Sequence, residues 1–129
     1  VKARLREFKR RVENGESFSI LKTSQYSYAN PIPSCGQTRD GLVYRIQLCA
    51  LSKPAANDLF GGITPVCYEL AAQTNVRKYY AGIFRTLQTV NDALSKVRAH
   101  GFPDAFIVAF YNGKLIPTEK AREIEFSGQ

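Results

Sequence analysis

Between Thr86 and Gly101 the sequence TLQTVNDALSKVRAHG sets Leu87, Val90, Ala93, Leu94 and Val97 on one stripe at helical spacing, with Thr86 as N-cap and Gly101 as the stop. A helix with a single apolar stripe must cover something, and the segments on either side of it read as strands. LVYRIQLCAL, ITPVCYEL, VRKYYAGIF and DAFIVAFYNGKLIP are short runs rich in β-branched and aromatic residues, bounded by Gly, Pro, Asn and Asp. The chain from Leu42 onward is therefore expected to be a sheet that carries helices.

The order of these segments narrows the expectation. SKPAANDLFGG, between the first two runs, offers Pro54 as a helix start and Gly61-Gly62 as a stop, with room for barely two turns. AAQTN reads as a turn, Asn112-Gly113 as a tight turn inside the fourth run, and Thr118 as the cap of a last helix, EKAREIEF. Placing Cys49-Ala50-Leu51 over Gly82-Ile83-Phe84 puts Ile46 over Tyr79 and Gln47 over Tyr80, so the chain echoes itself. Two similar βαβ halves predict an α+β domain of ferredoxin-like or RNP type, βαββαβ, with one four-stranded antiparallel sheet, helices on one face and a C-terminal helix added. Alternation points Ile46, Leu48, Tyr79 and Ala81 toward the helices, and Arg45, Gln47, Cys49 and Tyr80 toward the open face. A strand buried on both faces would carry Val or Ile at position 47, so Gln47 marks a face open to water or to a ligand.

The 129 residues suffice for one domain and an appendage. The boundary falls near residue 40. Residues 1–40 read as a basic helix, with Leu5, Phe8 and Val12 at helical spacing before Asn14-Gly15, then a short strand SFSILK and an extended arm, QYSYANPIPSCGQTRDG. Residues 41–129 form the main domain. No apolar run approaches the ~20 residues that cross a bilayer, and the N-terminus lacks the apolar core of a signal peptide. With no Met at any position, the chain reads as a processed or excised piece, any export signal or membrane anchor lying outside it.

The net charge of +7 is concentrated at the start, where the first 22 residues hold seven basic and three acidic side chains. Cationic surface of this kind favours polyanions, whether nucleic acid, anionic lipid or acidic cell-wall polymer, although a solvated helix face is the plainer and favoured reading of it. Cys35, Cys49 and Cys67 show no CxxC spacing and form no metal set with the lone His100. Cys49 and Cys67 each fall inside a strand, which predicts buried thiols rather than a disulfide. His100 lies in the last helical turn, where a cation is favoured. No Ser, Cys or carboxylate is arranged with it, and Glu123 and Glu125 read as helix-surface residues, so neither an enzyme nor a cofactor is expected.

The motifs YRIQLCAL, YYAGIFRTLQTVNDALSKVRAHG and FPDAFIVAF, over roughly residues 42 to 111, resemble the SPOR domain, the sporulation-related repeat. Tyr79, Gly82, Phe84, Ala93, Gly101 and Ala105 fall in order at the family's spacing. Cys49 stands where the family has Gly, and the first helix is short. The resemblance implies an RNP-like fold and a non-catalytic module that binds peptidoglycan glycan strands stripped of stem peptides. It also implies a bacterial cell-envelope protein of the periplasm, often at the division septum. The family's strand-one Gln maps to Gln47. A glycan strand presents hydroxyls, acetamido groups and carboxylates, which call for an amide, phenols and cations. Gln47, Tyr80, Arg45 and Lys78 supply them on one face, with Tyr68 and Arg85 at its edge.

Two other readings compete. RKYYAGIF superficially resembles an RNA-binding RNP1 strand, yet Tyr79 follows Lys78 where RNP1 has Gly, and strand one carries Gln47 in place of an RNP2 aromatic. The other is a protein-interaction module that has lost glycan binding and docks through the sheet or through residues 1–40.

Overall fold

A computed structural model describes residues 18–36, 40–71 and 73–127, so the expected helix of residues 2–13 lies outside the described residues. Strand β1 (Ser19–Ile20) is followed by β2 (Leu42–Leu51), β3 (Ile63–Thr64), β4 (Val66–Leu70), β5 (Arg77–Phe84), helix α1 (Leu87–Ala99), β6 (Phe106–Tyr111), β7 (Lys114–Ile116) and helix α2 (Thr118–Phe126). Five strands form one antiparallel sheet in the order β4-β5-β2-β6-β7, and β1 pairs with β3 in a separate two-stranded sheet.

This overturns the four-stranded ferredoxin-like expectation, and each difference has a local cause. SKPAANDLFGG forms no helix; residues 57–62 are successive turns, tied by Leu59 N to Ala56 O, Gly61 N to Asp58 O and Ile63 N to Phe60 O. Fewer than two turns cannot offset the cost of helix nucleation. Other contacts also claim the segment: Phe60 is buried in the core, and Tyr79 Oη accepts from Ala55 N at 2.8 Å. The helix layer expected over the first half of the sheet is therefore missing. Pro65, which has no N–H, divides ITPVCYEL into β3 and β4. The fourth run becomes two strands, because Asn112 (φ 50°) and Gly113 (φ 84°) make a two-residue hairpin that turns β6 back into β7.

The elements read from strong periodicity hold. Thr86 Oγ1 accepts from Thr89 N at α1's start, and Val90, Ala93, Leu94 and Val97 are buried on the stripe. They pack with Tyr44, Ile46, Leu48, Tyr79, Ala81 and Phe84 of the sheet. Helix α2 adds Ala121 to this core; Pro117, not Thr118, is its N-cap, and Thr118 is its first residue.

Residues 18–36 lie against the sheet. Leu21 N donates to Gly62 O, Tyr26 Oη accepts from Val66 N at 2.8 Å, and Ile32 joins the core. Farther along, Tyr68 N donates to Pro33 O, Cys35 N donates to Tyr68 O, and a disulfide joins Cys35 to Cys67. The two buried thiols expected in β2 and β4 are therefore one free thiol, Cys49, and one bridged cysteine, Cys67. The reason is register: Cys67 faces away from the core, within reach of the arm.

Candidate ligand-binding face

Two irregularities decide which side chains share a face. Tyr44 pairs with Phe84 and Ile46 with Ala81, so β5 carries one residue more than β2 across that interval, and Gly82 absorbs it at φ 74°. Ala81 and Phe84 both reach the helix side as a result, leaving Tyr80 and Ile83 on the other. The second shift lies in β2, where Gln47 pairs with Tyr80 but Cys49 pairs with Tyr79. It turns Cys49 toward the core, against the simple alternation that placed it beside Gln47.

The face opposite the helices carries Arg45 and Gln47 from β2, Lys78 and Tyr80 from β5, Phe106, Val108 and Phe110 from β6, and Cys67 and Glu69 from β4. The register makes Cys67, Tyr80, Gln47 and Phe106 successive partners, a row running across four strands. Glu69 and Lys78 form the neighbouring pair. Gln47 thus lies between the Tyr80 phenol and the Phe106 ring, in the middle of the sheet.

The depth of these groups differs. Arg45 and Tyr80 are only 8% and 3% exposed and form the floor. The Arg45 guanidinium lies 5.9 Å from the ring centres of both Tyr80 and Phe110, and those two rings meet edge-on at 5.9 Å. Its Nη1 donates to Cys67 Sγ at 2.9 Å. Burial and the Glu69 carboxylate push the Tyr80 phenol up to about 12, against the opposing pull of Arg45. Phe106, by contrast, is 47% exposed, while Gln47, Lys78 and Phe110 are half-buried.

Of the residues read from the sequence, Gln47, Arg45, Tyr80 and Lys78 come together on this face. Tyr68 stands on the opposite side, packed on the core beside Tyr79 with the Arg77 guanidinium 4.4 Å above its ring. Arg85 serves the backbone: its Nη1 donates to Asp40 O and Leu42 O, fixing the chain as it enters β2. Phe106 and Phe110 were missed, although their spacing in FIVAFY, two apart around Val108, places all three on one face.

Among the described residues no group of His, Cys, Asp and Glu is placed to hold a metal ion, and no helix is long and apolar enough to cross a membrane. His100 caps the end of α1, its amide donating to Lys96 O and Val97 O, with its ring beside Gly61. The chain matches no protein-family model, no curated protein and no solved structure.

Proposed function

We propose that the chain is a non-catalytic binding module that takes a glycan strand of peptidoglycan on the sheet face opposite the helices, as part of a bacterial envelope protein acting in the periplasm. The observation that carries this reading is the row in which Gln47 lies between Tyr80 and the exposed Phe106. A pyranose ring has an apolar C–H face that suits the Phe106 ring, and hydroxyl and acetamido groups that suit a side-chain amide. Lys78 adds a cation for the lactyl carboxylates of stripped strands. The resemblance to SPOR domains names the same ligand and the same glutamine. The ligand is here assigned to the five-stranded sheet, with Phe106 and Phe110 added, Arg45 and Tyr80 made its floor, and Tyr68 and Arg85 left out.

A net polar contact contributes only ~1 kcal/mol, so affinity per site is low and rises through repeated sites along the polymer. Titrating soluble stripped glycan fragments into the labelled protein and following amide shifts by NMR tests the site. Shifts are expected at Gln47, Lys78 and Phe106, and Gln47→Ala or Phe106→Ala is expected to weaken binding roughly 10-fold, about 1.4 kcal/mol. Shifts confined to residues 18–36 or to the helix side would contradict the reading.

A further inference from the structure

The Cys35–Cys67 bridge is placed unlike one that only staples an arm to a sheet. Both cysteines are partly exposed, and both line an open cavity of about 190 Å³ that also has Arg45 in its wall. The guanidinium touches the Cys67 sulfur: Nη1 donates to Cys67 Sγ at 2.9 Å. Arg45 is held there by its contacts with Tyr80 and Phe110, and at 8% exposure its charge is poorly screened by water. A sulfur beside a fixed cation is the better leaving group, because the thiolate that forms on it is stabilised.

We infer that Cys35–Cys67 is a thiol–disulfide exchange site, opened by a dithiol reductant that attacks Cys35 while Cys67 departs as a thiolate held by Arg45. One thiolate of the reductant enters the cavity and bonds to Cys35 Sγ. The S–S bond breaks, and its electron pair goes to Cys67 Sγ. The reductant's second thiolate then attacks its own bound sulfur, Cys35 leaves as a thiolate and takes a proton from water, and the reductant becomes a disulfide. Two electrons have passed to the pair. The covalent tie between the arm and β4 is then gone, while the backbone bonds of Pro33 and Cys35 to Tyr68 remain.

The oxidised protein, without denaturant, is treated with glutathione or with dithiothreitol, quenched by alkylation, and mapped by mass spectrometry. The first glutathione adduct is expected on Cys35, with Cys67 alkylated. Arg45→Met is expected to slow opening by dithiothreitol at least 10-fold, and Arg45→Lys to restore most of the rate. A third readout needs no variant: in the reduced wild-type protein, the pH midpoint for alkylation of Cys67 is expected below that of Cys49, the half-buried free thiol that packs against the core. An adduct on Cys67, an Arg45→Met rate equal to wild type, or a Cys67 midpoint at or above that of Cys49 would each overturn the inference.

Discussion

One carboxylate oxygen of Glu125 accepts from the Tyr44 hydroxyl at 2.8 Å and from the Leu87 amide at 2.9 Å. It therefore joins the last helix to the first turn of α1 and to a fully buried side chain in the central strand. In the sequence Glu125 reads as surface, because helical spacing shows which way a residue faces and not which donors wait there. Glu125→Ala leaves the Tyr44 hydroxyl buried without this acceptor and is expected to cost about 1–3 kcal/mol, seen as a lower melting temperature, with Glu125→Gln recovering part of it. Gly82 is equally specific. Its positive φ makes the β5 bulge, and a Cβ there would run into the Phe84 ring, so Gly82→Ala is expected to destabilise by about 1–3 kcal/mol and to disturb the face it orders. Tyr80 gives a pH test. Its phenol holds its proton more tightly in the folded chain, with a pKa near 12 against 10 for an ordinary tyrosine. The stabilisation is complete below pH 10 and is lost as pH rises through 12. Burial and the Glu125 hydrogen bond hold the Tyr44 phenol up as well, so absorbance at 295 nm should show a deficit of ionising phenols between pH 10 and 11 that Tyr80→Phe makes smaller by one.

Among the elements, α1 was legible to within a residue or two, because an amphipathic stripe of 13 residues with a capping threonine specifies itself locally. The Asn112-Gly113 turn was legible for the same reason, since both residues tolerate positive φ. SKPAANDLFGG was not: its proline and glycines mark boundaries, but Phe60 and the Tyr79 hydroxyl decide what lies between them, and both act through the fold. The two register shifts of β2 against β5 were also invisible, and they move Cys49 from one face to the other. QYSYANPIPSCGQTRDG reads as an extended arm or linker by composition, yet it places Tyr26 over the start of β4. Tyr26→Phe removes the acceptor of the Val66 amide and is expected to cost about 1–3 kcal/mol and to raise hydrogen exchange at Val66.

At the scale of the whole molecule, the sheet is covered by α1 and α2 on one side, while the other carries a row of aromatic and amide groups over a buried guanidinium. The candidate face was partly legible, since alternation alone brings Gln47, Arg45, Lys78 and Tyr80 together. Its aromatic half came only with the pairing of β6 to β2. Depth came last: the groups that looked most suited to ligand contact, Arg45 and Tyr80, form the floor, and Phe106 stands above it. The claim that this face takes a glycan is tested most directly by sedimenting the purified chain with insoluble peptidoglycan sacculi, before and after an amidase strips the stem peptides, at several salt concentrations. Binding is expected to rise on stripping, to persist at moderate salt and to fall with Gln47→Ala. No binding to either form, or binding that only tracks salt and ignores Gln47→Ala, would contradict the account.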